Sequence, residues 1–159
     1  MTVTRIAHTA ELSATELVGI RHMLVRAFTG EFDDTDWDHA LGGLHVIITE
    51  GAHVAAHAAV VQRRLLYDGR ALRAGYVEAV AVDQPRRGRG YAATVMNEAE
   101  RIIRVAYDIG SLSAADGVAR FYLSRGWLAW QGPTHVLSPK GIGCGSPEGV
   151  YRAGMTPLR

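Results

Sequence analysis

The sequence predicts an α/β domain built on a mixed, mostly antiparallel sheet with helices on both faces. Apolar, β-branched runs over residues 54–67 and 70–82 flank Asp68-Gly69, a pair typical of a two-residue hairpin turn. Further along, apolar residues recur at helical spacing over residues 90–106, between two strand-like runs. The hairpin joins antiparallel strands and the strand–helix–strand order joins parallel ones, so the sheet is predicted to be mixed.

The N-terminal third contains two helical segments and one strand. Ser13 and Glu16 have the spacing of a capping box, and the apolar residues that follow predict a helix over residues 14–28. A shorter helix is expected over residues 35–41, because two glycines follow it. Residues 45–49 contain the β-branched run Val46-Ile47-Ile48 and are followed by the turn pair Glu50-Gly51, which predicts a strand.

The segments after the hairpin complete the sheet. The helix over residues 90–106 is expected to turn five residues inward: Ala93, Met96, Ala99, Ile103 and Ala106. A strand over 109–114 and a helix over 116–124 are expected to follow it. Two last strands are predicted at 127–131 and 135–137.

The predicted domain covers residues 1–138 as one unit. Residues 139–159 have a different character, with glycines at 141, 143, 145 and 149 and prolines at 139 and 147. This composition predicts a loop or a divergent tail, which could hold one short strand over residues 150–153.

Composition and charge exclude several classes of protein. With 17 basic and 16 acidic residues the net charge is +1, so no general attraction to nucleic acid or to a membrane surface is expected. The single cysteine, Cys144, cannot form an internal disulfide, and the first residues lack the pattern of a signal peptide. We therefore expect a cytoplasmic protein. His53 and His57 are too far apart on a strand to share a metal, and no metal is expected.

The stretch from Tyr76 to Ala92 is the most informative part of the sequence. An apolar strand carries one acid, Glu78, and is followed by the basic, glycine-rich run Arg87-Gly88-Arg89-Gly90-Tyr91-Ala92, which opens a helix. Backbone N–H groups of such a turn and helix start can bind a phosphate. The run has neither the Gly-Lys-Ser/Thr of a Walker loop nor the three-glycine dinucleotide fingerprint. Under strict alternation Glu78 would share a face with Val80 and Val82 and act as a base in a partly apolar groove.

Two motifs together resemble those of the GCN5-related N-acetyltransferases (GNAT). The first is the R-x-x-G-x-A spacing of the basic turn, and the second is Phe121-Tyr122 followed by Gly126-Trp127. A closer resemblance, to the aminoglycoside 2′-N-acetyltransferases of mycobacteria and their relatives, extends over residues 8–138. It is carried by Thr35-Asp36-Trp37, Leu41-Gly42-Gly43, His57-Ala58-Ala59-Val60, Gln62-Arg63-Arg64, Gly75-Tyr76-Val77-Glu78 and Ser124-Arg125-Gly126-Trp127.

The resemblance implies a fold, a reaction and a set of site residues. It implies a central strand that diverges from its parallel neighbour, acetyl-CoA held in the gap, and transfer of the acetyl group to the 2′-amine of an aminoglycoside, which confers antibiotic resistance. Glu78 would accept the amine proton through water, and Tyr122 would protonate the departing thiolate. Cofactor binding is implied for the backbone of Val80, Val82, Arg87, Gly88, Arg89, Gly90, Tyr91 and Ala92. Drug binding is implied for Glu31, Asp36 and Ser113.

Several alternatives stay open at this point. Glu78 could be a structural acid and Tyr122 a core aromatic. The tail departs from the resembled family, since residues 139–159 carry one acid and no tryptophan, where the family has acids and a tryptophan that line the drug pocket. The substrate could then be another amine, such as a cell-wall sugar or a polyamine, or the chain could bind acetyl-CoA without turnover. A homodimer is common in the resembled family.

Overall fold

The structure is a computed structural model that describes residues 1–115, 117–138, 141–144 and 150–152. Its helices are α1 (Ala14–Ala27), α2 (Asp34–Ala40), α3 (Tyr91–Ala106) and α4 (Ala119–Ser124). Its strands are β1 (Thr2–His8), β2 (Leu44–Glu50), β3 (His53–Tyr67), β4 (Arg70–Val82), β5 (Ile109–Ser113), β6 (Leu128–Ala129), β7 (His135–Ser138), β8 (Gly141–Cys144) and β9 (Val150–Arg152).

Seven strands form one sheet in the order β1-β2-β3-β4-β5-β9-β6, and β7 and β8 form a separate two-stranded sheet. Every pairing in the large sheet is antiparallel except that of β4 with β5. This parallel pair is connected through α3, as a strand–helix–strand crossover requires. The sheet is therefore mixed and mostly antiparallel, which confirms the fold class.

Helices cover both faces of the sheet, each over its own apolar cluster. On one face α3 packs Val95, Met96 and Ala99 against alternate residues of β2, β3 and β4. On the other face α1 packs Ile20, Met23 and Leu24 against the sheet. Among the described residues, the buried side chains are mainly Ala, Val, Ile, Leu and Met with few aromatics, and Trp127 is the largest of them.

The long hairpin of β3 and β4 is the frame of the sheet. Its turn residues Asp68 and Gly69 have φ values of 49° and 72°, the two positive φ values that a type I′ turn requires. Near the other end of the hairpin the register shifts between His57 and Ala59, because Ala79 and Val80 of β4 both lie opposite one residue of β3. This irregularity is a β-bulge, and it lies beside the candidate site.

Helix starts follow the sequence signals closely. Ser13 and Glu16 form the expected capping box of α1, and Asp33 and Asp36 form a second one at α2. The inward face of α3 was predicted less well. Val95 and Ile102 are buried there, while Ala106 is exposed and Ala93 is half-buried. Three of the five residues expected to face inward are alanines, whose small side chains are a weak signal of burial.

The N-terminal edge strand is absent from the sequence prediction. Strand β1 pairs with β2 along its whole length, from Thr2 opposite Glu50 to His8 opposite Leu44. Ala7 is its single buried residue. An edge strand with one buried position lacks the alternation by which strands are recognised, so the pattern gave no signal.

The glycine-rich segment is not a loop throughout. Gly141–Cys144 forms β8 and pairs with β7 as a hairpin. Val150–Arg152 forms β9, which lies between β5 and β6 and pairs with both. Residue 153, the other tail residues 139–140, 145–149 and 154–159, and residue 116 at the expected start of α4 lie outside the described residues. No helix in the described part of the chain is long and apolar enough to cross a membrane.

Candidate active site

A cavity of about 970 Å³ opens where β4 and β5 part. The two strands pair from Ala74 opposite Ile109 to Val77 opposite Leu112, and β4 then continues for five residues without that partner. The divergence exposes backbone groups of a central strand, which would otherwise be bonded to a neighbour. Residues of α1, α2, β4, β5 and the basic turn line the space.

The bulge at Ala79 decides which way the β4 side chains point. Ala79 is a non-glycine residue with a φ of 50°, in the left-handed region. Val77, Val80 and Val82 pack in the cluster under α3, whereas Ala79 packs with the cluster under α1. Glu78 follows Val77 and therefore faces the α1 and α2 side. The expectation that Glu78 shares a face with Val80 and Val82 is wrong, because the extra residue of the bulge breaks the alternation.

Glu78 is a shielded carboxylate with one cationic partner. Its side chain is 21% exposed, and its Oε1 accepts a hydrogen bond from Nη2 of Arg63 at 2.9 Å. The Arg63 guanidinium also lies 5.0 Å from the centre of the Tyr76 ring. Burial raises the pKa of the Glu78 carboxyl, while Arg63 offsets part of this rise. A carboxylate tuned in this way can accept a proton from a substrate amine.

Tyr122 is the phenol that the sequence analysis selected as the candidate acid. It lies on α4, is 7% exposed and borders the cavity. Its ring contacts Phe121 and Trp127 edge-on, which fixes its position. Burial raises the pKa of the phenol to about 12. The hydroxyl is therefore protonated at neutral pH and is able to donate.

The basic turn presents backbone amides to the cavity. Gly88 and Gly90 both have a φ of 79°, and Gly90 is the residue before α3. The first helical bond runs from the Thr94 N–H to the Gly90 carbonyl, so the amides of residues 91–93 have no partner within the helix. These amides and the helix dipole make the turn a site for an anion.

The arginines of the turn are anchored rather than free. Arg87 borders the cavity and donates through Nη2 to the Ala27 carbonyl at 3.1 Å. Arg86 and Arg89 both bind Glu50 of β2, at 3.0 and 2.9 Å, and the Tyr91 hydroxyl donates to the same carboxylate. Glu50 therefore holds the basic turn in place, although Glu50 itself does not border the cavity.

The acidic segment before α2 divides into two sets. Glu31 and Asp36 border the cavity. Asp33 forms the capping box of α2 together with Asp36, and Asp34 pairs with Arg21 on α1. Asp36 and His39 lie near enough to Glu78 to act on its carboxyl electrostatically, and the sequence did not single out His39.

The structure brings nearly all of the selected residues to one cavity. Its walls include Glu31, Asp36, Glu78, Val80, Val82, Arg87, Gly88, Gly90, Tyr91, Ala92, Ser113 and Tyr122. Arg89 is the exception and points to Glu50. Sequence reasoning missed Phe32, His39, Arg63 and Tyr76. Tyr76 could have been found, since it lies two residues before Glu78 on the same strand face, and His39 lies one helical turn after Asp36.

The described residues do not form a metal site. Among residues 1–115, 117–138, 141–144 and 150–152, no set of three or more His, Cys, Asp or Glu side chains could hold a metal ion. The two buried histidines, His45 and His57, bind one another rather than converging on a common point.

The divergent parallel pair, the bulge and the glycine turn before α3 define an acyl-CoA-dependent acyltransferase fold. The acetyltransferase (GNAT) domain family model matches residues 8–129. The chain belongs to the GNAT acetyltransferases.

Comparison with individual proteins agrees with this assignment. The chain is 54% identical over 138 residues to an aminoglycoside 2′-N-acetyltransferase of Mycolicibacterium fortuitum, a match that covers 87% of this chain and 71% of the relative. Among solved structures, ElaA of Escherichia coli superposes with a TM-score of 0.68 at 21% identity, covering 97% of this chain and 100% of that one. An acyl-CoA N-acyltransferase of Pseudomonas aeruginosa gives a TM-score of 0.69 at 17% identity, with the same coverage. At these identities the two structures support the fold alone.

Proposed function

We propose that the protein transfers an acetyl group from acetyl-CoA to the 2′-amine of an aminoglycoside in the cytoplasm, and so confers resistance to the drug. The observation that carries the proposal is the single cavity that joins an amide-rich turn to a shielded carboxylate and an acidic rim. The relative from Mycolicibacterium fortuitum supports the choice of acceptor, since it is an aminoglycoside 2′-N-acetyltransferase that covers most of this chain.

In this proposal acetyl-CoA enters between β4 and β5. The amides of residues 87–92 bind the pyrophosphate, because a glycine turn and a helix start supply N–H donors without side-chain specificity. The backbone of Val80 and Val82 binds the pantetheine arm as a strand would. Both residues lie beyond the last pair that β4 makes with β5, so this edge of β4 has no strand partner among the described residues.

The acceptor binds at the acidic end of the cavity. An aminoglycoside carries several ammonium groups, and carboxylates attract and orient such a polycation. Glu31 and Asp36 border this end, and Ser113 borders the cavity from β5. The Arg63 guanidinium is already paired with Glu78, so its charge is partly compensated where the cation has to approach.

The transfer is direct and needs no acyl-enzyme. Glu78 accepts a proton from the substrate ammonium, by way of water, and the freed amine attacks the carbonyl carbon of the thioester. The Val80 N–H polarises the carbonyl oxygen. The C–S bond breaks and the thiolate takes a proton from the Tyr122 hydroxyl. The nitrogen of the new amide gives up its second proton, which returns through water to the Tyr122 oxygen, and Glu78 passes the first proton to solvent as free CoA and the acetamide leave.

Steady-state kinetics test the proposal. The protein is incubated with acetyl-CoA and tobramycin or gentamicin, and released thiol is measured. Replacing Glu78 by Gln should lower the rate by roughly 100-fold or more, as expected for a general base. The loss should be largest at low pH, where more of the amine is protonated.

A matched pair of variants tests the acceptor site. Asp36 and Asp38 belong to the same helix, but only Asp36 borders the cavity. Asp36→Asn should raise KM for the drug, whereas Asp38→Asn should not, and neither should change KM for acetyl-CoA. Acetylation of polyamines or cell-wall amino sugars in preference to drugs would assign the protein to another amine. Binding of acetyl-CoA in calorimetry without any thiol release would identify a binding protein instead.

A further inference from the structure

A buried chain of hydrogen bonds runs behind the cavity and ends at the bulge. Oγ1 of Thr9 lies 2.7 Å from Nε2 of His45, Nδ1 of His45 lies 2.9 Å from Nε2 of His57, and Nδ1 of His57 lies 2.8 Å from the carbonyl oxygen of Ala79. Both histidines are fully buried, and neither borders the cavity. They therefore act on the site only through what they bind.

When both histidines are neutral, the chain has a single direction that satisfies every polar atom; the reverse direction, in which the Thr9 hydroxyl donates to the Gly43 carbonyl at 3.3 Å, requires a protonated His57. The Ala79 carbonyl can only accept, so Nδ1 of His57 carries the hydrogen. Nε2 of a neutral His57 then accepts from Nδ1–H of His45, and Nε2 of His45 accepts from the Thr9 hydroxyl. Thr9 Oγ1 in turn accepts from the Gly42 N–H at 2.9 Å. Burial favours this neutral arrangement, since it lowers the pKa of His45 to about 4 and that of His57 to about 3.

The end point of the chain is the least regular residue of β4. Ala79 has a φ of 50°, which is unfavourable for a residue with a Cβ atom and persists only where the surroundings hold it. A bulge also leaves its extra residue outside the ladder, so the Ala79 carbonyl needs another donor. The His57 N–H is that donor. The two residues on either side of Ala79 are Glu78 and Val80.

We propose that His57, whose tautomer is set by the hydrogen bond from His45, is a positioning residue that fixes the Ala79 bulge and thereby holds the Glu78 carboxylate and the Val80 N–H in the geometry that acetyl transfer requires. The inference rests on the proposed function for the roles of Glu78 and Val80. The relay itself concerns only the hydrogen bonds and the backbone they hold. Its loss alters the shape of the strand edge where acetyl-CoA binds as well as the position of the base.

Two amide substitutions at position 57 separate positioning from simple packing. The amide nitrogen of Asn lies near the position of Nδ1, so His57→Asn can still donate to Ala79. The amide of Gln reaches instead toward the position of Nε2, so His57→Gln cannot. We expect kcat and the Kd for acetyl-CoA of His57→Asn to stay within about threefold of the wild type, while His57→Gln loses about tenfold or more in kcat, as for one lost hydrogen bond. Ile47→Val, a buried change opposite His57 in β2, should leave kcat unchanged even if it lowers the melting temperature.

Equal kcat and Kd values for folded His57→Asn and His57→Gln would overturn the proposal, as would a stronger effect of Asn. Nitrogen-15 NMR of labelled histidines provides a readout that needs no catalysis. At pH 7 both His45 and His57 should be neutral with the hydrogen on Nδ1, and an Nε2–H tautomer at His57 would refute the relay. A wild-type protein that neither binds nor turns over acetyl-CoA would refute the proposed function and the relay's role in transfer, while the tautomers would still report whether the hydrogen bonds exist.

Discussion

Mild acid should destabilise the protein through the buried histidine pair. Burial and, for His57, the neighbouring His45 lower the pKa values of the folded pair to about 3 and about 4. In the unfolded chain a histidine titrates near pH 6.5. Between these values the unfolded state binds protons that the folded state does not. The neutral histidine pair therefore contributes its full stabilisation above about pH 6.5, and the free energy of unfolding decreases as the pH falls from 6.5 toward 4.

The size of the effect follows from the linkage relation. Lowering the pH from 6.5 to 5 costs about 1.7 kcal/mol for each histidine that stays neutral in the folded state, hence about 3 kcal/mol for the pair. Glu78 acts in the opposite direction, since its raised pKa lets the folded state bind a proton more tightly as the pH falls. The measurement is therefore best made in a Glu78→Gln background, in which this contribution is absent.

Urea unfolding at pH 7, 6.5 and 5, followed by tryptophan fluorescence, measures the effect. His57→Asn removes one of the two titrating groups and keeps the hydrogen bond to Ala79, so it should retain about half of the pH dependence. The account of the buried pair would be refuted if the free energy of unfolding changed by less than about 1 kcal/mol between pH 6.5 and 5. It would also be refuted if the proteins with and without His57→Asn showed the same pH dependence.

Four further substitutions test the frame around the site. A Cβ atom at Gly43 would lie 2.2 Å from a backbone carbonyl oxygen of β3, so Gly43→Ala should destabilise by about 3 kcal/mol or more. Gly19→Ala on α1 meets its nearest atom at 3.8 Å and should stabilise by up to about 1 kcal/mol, which denaturant unfolding measures alongside. Glu50→Gln weakens the anchor of the basic turn and should raise KM for acetyl-CoA several-fold at unchanged kcat. Arg63→Met removes the charge that lowers the pKa of Glu78, so the acidic limb of the kcat/KM profile should move to higher pH, and an unmoved limb would contradict this pairing.

The local elements of the fold could be read from the sequence because each has its own signal. The capping box at Ser13 and Glu16 marks the start of α1, and Asp68-Gly69 marks the hairpin turn. The glycine turn before α3 combines a strand, two positive-φ glycines and a helix start, and such short-range patterns survive in any tertiary context. The residues of this turn that the sequence selected for cofactor binding line one cavity, with the exception of Arg89.

Features that depend on distant partners could not be read in the same way. The bulge at Ala79 lies where His57 of the neighbouring strand donates a hydrogen bond to the Ala79 carbonyl, and no local sequence pattern predicts the bulge. It nevertheless reverses the face on which Glu78 lies. Arg63 reaches Glu78 across the hairpin, and the pairing depends on the register that the same bulge sets. The sequence allowed a short strand at the position of β9 but not its place in the sheet, because its partners β5 and β6 are far from it in sequence.

Acetylation of an aminoglycoside tests the central proposal most directly. The protein is mixed with acetyl-CoA and tobramycin, thiol release is followed, and the product is analysed by NMR for the position of the acetyl group. We expect one thiol for each acetylated drug, with the acetyl group on the 2′-amine, and almost no turnover by Glu78→Gln. A folded protein that binds acetyl-CoA and releases no thiol with any aminoglycoside would contradict the proposal.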